Sequence, residues 1–430
     1  MAVSGKARLG DTVTWNGHTY KATELAVFYK PHTVSLLLMG MIVLLAAGLW
    51  QTSPADGTAT KVSVDDMPVR AAWTAGGAAF SVYLLYALLQ FPDGLFTRPH
   101  PAVWRVVLAL SLAYLVALVF VFFLPVASAR GLLTLLDPSL GSKLELPLYA
   151  TDCSLSWANV SPKLWDIFVV AHFAGWFVKA LMIRNIAICI TLSVLWELVE
   201  LSLVTMLPNF GECWWDQLIM DILVCNGGGM MLGLYLGGYF EMKEYNWVGF
   251  RAIESVRGKV RRAALQFTPQ SWTTVEWKMF SSYRRLGAIA ILIAGITVVE
   301  LNAFLLKAVL WVPSSNWLNL LRLGLWVAFG APTLREYYQY ITDPHCKKLG
   351  TQAWVALACM LAETAIAFKF GLVYFAHLDV LVPAWIWGLW LAAGAAFLAA
   401  YSANYSRAKA QAQGKRVWRH RPASTASEPS

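Results

Sequence analysis

Ten stretches of this chain are apolar over enough residues to cross a lipid bilayer, and no other feature constrains the fold as tightly. They run roughly 33–50, 71–90, 104–126, 164–183, 185–207, 215–239, 286–306, 317–340, 352–375 and 380–405. In hydrocarbon every backbone N–H and C=O must be paired within the segment, so runs of this length predict helices. The expected fold is therefore all-α, a polytopic membrane protein with about ten transmembrane helices. Composition agrees: 14% of residues are charged, where soluble domains carry about 25%.

Lys and Arg orient the helices, because basic loops stay on the cytosolic side. The loop 241–285 carries Lys243, Arg251, Arg257, Lys259, Arg261, Arg262, Lys278, Arg284 and Arg285 against Glu241, Glu244, Glu254 and Glu276. Arg98 with Arg105, Lys179 with Arg184, Lys347 with Lys348 and the KRVWRHR tail fall on that side, and Asp65–Asp66 opposite. Ten crossings with both termini cytosolic satisfy these signs. Three regions follow: a cytosolic segment 1–32 with no visible signal peptide, a transmembrane catalytic domain 33–405, and a tail 406–430. The tail is basic, then Ser/Pro-rich, with no periodic apolar face, and is expected to be disordered. The net charge of +9 reads as topology and contact with anionic membrane lipids, and no nucleic acid is expected as a partner. Six cysteines form no CxxC and no zinc pattern. Cys153 and Cys213 are the two on the non-cytosolic side, which leaves a disulfide between them open.

Polar residues gather in WELVELSLVTMLPNFGECWWDQLIMDILVCNGGG, from Trp196 to Gly229. Glu197 and Glu200 are three residues apart and share a helix face. The Pro208-Asn209-Phe210-Gly211 turn ends that helix, and Glu212 and Asp216 stand at the mouth of the next, where its dipole favours anions. A carboxylate deep in a membrane helix costs about 2.5–3.5 kcal/mol, so a group of them needs compensation. A hard cation bound by carboxylate and amide oxygens supplies it. Caps and structural hydrogen bonds account for one or two such acids more easily than for Glu197, Glu200, Glu212, Asp216 and Asp221 together. His172 enters from the same side, at roughly 13 Å depth against roughly 15 Å for Glu197. One difficulty stands: Asp216 and Asp221 are five residues apart, about 140° on an ideal α-helix, and cannot both face one ion there. Gly227-Gly228-Gly229 at mid-membrane suggests close helix packing or room for a lipid tail.

Other intramembrane polar residues are Glu300, Asn302, Arg322 and Glu363. An Arg there can grip a phosphate or carboxylate, so Arg322, Glu300 and Asn302, with Asn226, are taken as candidate substrate-binding residues. A structural ion pair is an equal reading for Arg322 and Glu300. Glu363 reads as a packing or pairing residue.

The run LPNFGECWWDQLIMDILVCNGGG, with AHFAGWFVKALMIRN, WELVE, FPDGLFTRPHPAVWR, LQFTPQSW, ELNAFLLK and KLGTQAW, resembles the eukaryotic base-exchange phosphatidylserine synthases. The resemblance spans about residues 80 to 360. It implies a calcium-dependent enzyme of the endoplasmic reticulum membrane. Such an enzyme swaps the choline or ethanolamine of phosphatidylcholine or phosphatidylethanolamine for L-serine. The family's functional positions match His172, Glu197, Glu200, Asn209, Glu212, Asp216, Asp221 and Asn226. The choice of lipid donor and the oligomeric state stay open, a homodimer included.

The residues read alone point the same way. Exchange at a phosphodiester needs negative oxygens neutralised, a base for the incoming hydroxyl and an acid for the leaving alcohol. Calcium on Glu200, Asn209, Glu212, Asp216 and Asp221 meets the first need. His172 is the intramembrane proton carrier, oriented by Glu197, or alternatively the nucleophile itself. Two rival functions fit the sequence less well. CDP-alcohol phosphotransferases carry a DxxDGxxAR…GxxxDxxxD array that this sequence lacks, and a cation or proton transporter would spread its acids across the membrane.

Overall fold

The computed structural model describes residues 12–15, 18–21, 69–96, 99–144, 152–164, 167–241, 275–376 and 381–419, with isolated positions and one short turn between. The run 33–50, Asp65–Asp66, Arg98 and most of the 241–285 loop lie outside the described residues. Near the N-terminus Thr12–Trp15 (β1) and His18–Lys21 (β2) pair antiparallel, Thr12 opposite Lys21. Helices make up the rest of the architecture. They are α1 (Val69–Gln90), α2 (Pro101–Phe123), α3 (Val126–Leu136), α4 (Trp157–Leu164), α5 (Ile167–Ile183) and α6 (Ile186–Leu203). After a π-helical stretch, Asp216–Gly228, come α7 (Gly229–Glu241), α8 (Tyr283–Leu310), α9 (Trp317–Thr342), α10 (Thr351–Phe375) and α11 (Leu381–Arg419).

Among the described residues six helices are long and apolar enough to cross a membrane: Pro101–Phe123, Ile186–Leu203, Asp216–Tyr239, Tyr283–Leu310, Thr351–Phe375 and Pro383–Ser406. The molecule is an all-α membrane protein, and the count of ten is not reached on these two criteria. Two short helices, α3 and α4, were not expected at all. Pro125 explains the first: it forces Leu124 into an extended conformation, which ends α2 and lets α3 start at once. Helix α11 continues to Arg419, into the stretch 406–430 expected as the tail. Its Ala, Lys, Arg and Gln are strong helix formers, and a helix already nucleated in the apolar stretch propagates through them.

The chain divides into two compact units. The first comprises Met1–Leu144, Phe177–Ile186 and Met230–Phe370. Its core gathers Val107 on α2, Phe329 on α9 and Ala356 on α10, with Trp104, Tyr114 and Trp326 packed against them. Helix starts are capped by side chains: Ser282 accepts from the Arg285 N–H at 3.2 Å, and Asn316 from the Leu318 N–H at 3.0 Å. A Cβ on Gly233 would stand 2.5 Å from the Phe177 carbonyl oxygen, so only glycine lets α7 lie this close to α5.

The second unit comprises Glu145–Trp176, Ala187–Gly229 and Gly371–Ser430. A disulfide joins Cys153, ahead of α4, to Cys213 at the entrance of the π-helical stretch. Beside it the Ala150 N–H donates to the Gly211 carbonyl at 3.0 Å. Cys213, Trp215 and Met220 bury themselves against Ala150, Cys153, Val160 and Val169. The turn after α6 is thereby pinned to the loop ahead of α4.

Candidate active site

The π-helical stretch decides how the polar residues face. In a π-helix the backbone bonds i to i+5, so the residue five places on comes back over the first. Asp216, Asp221 and Asn226 are spaced five apart, so each lies nearer to the one before it than an α-helix would allow. The 140° separation that an α-helix would impose on Asp216 and Asp221 is narrowed by this winding. Leu218, Ile219, Leu223 and Val224 are exposed, while Asp216, Met220, Cys225 and Asn226 are buried. Apolar side chains facing outward and polar ones inward is the arrangement a bilayer demands. Winding returns to α at Gly229, whose N–H reaches the Asn226 and Cys225 carbonyls. A Cβ on Gly228 would come to 3.0 Å of the Phe173 ring, which bears out close packing at the glycines.

Two neighbouring helices meet this polar side. From α5, His172 Nδ1 lies 3.2 Å from Asp221 Oδ1. From α6, Ser193 Oγ accepts from Asn226 Nδ2 at 2.8 Å, fully buried. Glu212, Asp216 and Glu200 all act electrostatically on the Asp221 carboxyl, Glu212 most strongly. Glu200 Oε1 accepts from the Trp196 indole at 2.8 Å, and the Trp196 ring stands edge-on to Phe210 in the turn. Helix α6, the turn and the π-helical stretch thus hold five acids in one neighbourhood.

Several buried oxygens there have no hydrogen-bond partner among the described residues: both of Glu197, Oδ1 of Asn209 and Oδ1 of Asn226. Gln217 and Asn226 come near enough for their amides to act on the Glu197 carboxyl. Leaving a buried polar atom unsatisfied costs about 1–3 kcal/mol, more when charged. Unpartnered oxygens beside crowded carboxylates are what a hard cation binds, so the residues fit calcium.

The sequence assigns the orienting of His172 to Glu197. Asp221 is the carboxylate that stands at His172 Nδ1, while the carboxyl oxygens of Glu197 have no hydrogen-bond partner among the described residues. One group the sequence reading left aside also belongs to the cluster. Cys225 is buried four residues beyond Asp221, and its ligand atom lies within 4.8 Å of those of His172 and Asp221. Its position at the depth of His172 was the signal available.

Arg322, Asn302 and Glu300 belong to the first unit and have partners of their own. Arg322 Nε and Nη2 donate to Glu363 at 2.8 and 2.6 Å. The same carboxylate accepts from the Tyr114 hydroxyl, from the Trp326 indole at 3.0 Å and from Asn302 Nδ2 at 3.5 Å. Glu300 pairs with Lys179 at 2.6 Å.

Comparison with known proteins covers the segment that carries these residues. The profile of the family described as "Phosphatidyl serine synthase" matches residues 99–371, which contain the whole cluster. "Phosphatidylserine synthase 1" of Danio rerio is 40% identical over 362 residues, covering 82% of this chain and 74% of that one. "CDP-diacylglycerol--serine O-phosphatidyltransferase 2" of Oryza sativa subsp. japonica is 40% identical over 390 residues, 88% of this chain and 90% of that one. "Phosphatidylserine synthase" of Drosophila melanogaster is 37% identical over 352 residues, 81% of this chain and 68% of that one. With a family match of that length and relatives at that identity over most of both chains, this chain belongs to the phosphatidyl serine synthase family.

Proposed function

We propose that this membrane enzyme makes phosphatidylserine by calcium-dependent head-group exchange, with L-serine replacing the choline or ethanolamine of an existing phospholipid. Phosphatidylserine synthesis itself, from a phospholipid and serine, comes with the family. The observation that carries the finer reading is the set of unpartnered buried oxygens around the His172–Asp221 pair.

Glu200, Asn209, Glu212, Asp216 and Asp221 would hold the calcium ion, which supplies positive charge to the phosphate oxygens. His172 works on the proton. A carboxylate at its Nδ1 holds the proton there and leaves Nε2 basic, the arrangement of an imidazole general base. Nε2 takes the serine hydroxyl proton as that oxygen bonds to phosphorus. As the bond from phosphorus to the departing head group breaks, the same proton passes to the leaving alcohol oxygen. Atoms and charge balance without an external energy source. Attack by His172 itself, through a phosphatidyl-histidine, is the second route to the same products. Asn226, braced on Ser193, is left with its carbonyl oxygen for substrate.

The reading places the active site on the lumenal side of the endoplasmic reticulum membrane, both termini being cytosolic. The Cys153–Cys213 disulfide supports it, since such bonds persist in oxidising compartments and this one adjoins Glu212.

Relatives named for different donors make the donor the quantity to measure. Purified protein with calcium and labelled serine is offered phosphatidylcholine, phosphatidylethanolamine or CDP-diacylglycerol in turn. Exchange predicts label in phosphatidylserine with one free choline or ethanolamine released per turnover. Incorporation solely with CDP-diacylglycerol, with release of CMP, would sink the exchange reading and favour the activity for which the rice relative is named.

A further inference from the structure

We propose that His172, Asp221 and Cys225 form an inhibitory site for a thiophilic divalent cation of the zinc class, distinct in chemistry from the calcium site and sharing Asp221 with it. The three donors are one nitrogen, one oxygen and one sulfur, all within 4.8 Å of one another. Calcium takes oxygen ligands, so the sulfur of Cys225 has no use in holding it. Thiolate with imidazole and carboxylate instead suits zinc, which takes four ligands in a tetrahedron.

The distances agree with that geometry. Ligand atoms about 2.0–2.3 Å from a tetrahedral zinc ion stand roughly 3.3–3.8 Å from each other. His172 Nδ1 and Asp221 Oδ1 are already 3.2 Å apart. Closing the Cys225 edge needs a movement of about 1 Å, within the reach of a side-chain rotation. Three protein ligands leave the fourth position to water, as in open zinc sites. His172 is 31% exposed and Asp221 16%, so the ion has a way in although Cys225 has none of its own. The Cys225 thiol rests on the Val169 carbonyl at 3.7 Å, a weak contact that a metal readily replaces. Binding releases the thiol proton to solvent and occupies the imidazole and carboxylate together. Transfer of the serine proton then stops, and calcium loses one of its ligands.

Binding itself does not depend on the exchange reading; the predicted antagonism with calcium rests on it. Cobalt(II) is the probe, because it replaces zinc and gives a thiolate-to-metal charge-transfer band. Calcium-free, full-length protein in detergent is titrated with cobalt chloride. One equivalent should develop the band, zinc should abolish it, and Cys225→Ala and Cys225→Ser should lack it. Cys189, Cys346 and Cys359 are further free thiols, and a band that survives both substitutions would belong to one of them and overturn the proposal. So would wild type without a band. In the serine assay zinc should inhibit, added calcium should relieve the inhibition, and Cys225→Ala should need about 10- to 100-fold more zinc. Equal zinc sensitivity in the variant rejects the site. A Cys225-dependent band in an enzyme that needs no calcium would reject the calcium reading and leave this site standing.

Discussion

Around Glu363 every acceptor is taken: Arg322, Tyr114, Trp326 and Asn302 all donate to one fully buried carboxylate. Around Glu197 and Asn226 oxygens have no hydrogen-bond partner among the described residues, though those residues are buried nearly as deeply. Both are polar clusters within apolar helices. Satisfaction separates them. A cluster that answers all of its own hydrogen-bonding demands holds helices together, whereas one that leaves oxygens unanswered in a low-dielectric interior is shaped for something the chain does not contain.

The sharpest way to break this contrast is at His172. General acid–base help is worth about 100- to 10,000-fold, so His172→Ala should lose that much turnover, and His172→Gln nearly as much, with thermal stability kept. A Gln variant at near wild-type rate would make His172 structural and return the chemistry to serine and metal. Next comes Glu363→Ala, which strands Arg322 without its counter-ion and should cost about 3–5 kcal/mol of stability, read as a lower melting temperature in detergent. Its calcium requirement should not move; a shifted requirement with an unchanged melting point would reverse the assignment of the two clusters. Glu212→Ala and Asp216→Ala test the open cluster from the other direction. Each should raise the calcium concentration for half-maximal activity about 10- to 100-fold, measured by serine incorporation across a calcium titration. The smallest effect belongs to Ser193→Ala. Losing the brace on Asn226 should cost about 0.5–1.5 kcal/mol, seen as a modest rise in KM for lipid with kcat nearly kept.

How the chain reveals these features differs by element. Helix α10 was expected over 352–375 and runs Thr351–Phe375, because an apolar run in lipid has few alternatives to a helix. The acids of Trp196–Gly229 were visible for the same reason, charge being conspicuous where water is absent. The π-winding was not visible. It depends on which carbonyl each N–H selects, which the residue pattern does not state. Helices α3 and α4 escaped because 11 and 8 residues are too few to register as apolar runs.

A covalent bond between two cysteines does not reach across a bilayer. The Cα atoms of Cys153 and Cys213 are 5.1 Å apart, against about 30 Å of hydrocarbon, so the two residues share one side of the membrane. Parity follows: the chain between them crosses an even number of times. Helix α4, with 8 residues spanning about 12 Å, is too short to be one of those passages. Helix α6 has the length and composition for one, so the return passage falls to α5, although its apolar stretch is only Val169–Ile183. An enzyme misthreaded by a single crossing in this segment could not close the bond, which makes the disulfide a covalent record of correct insertion.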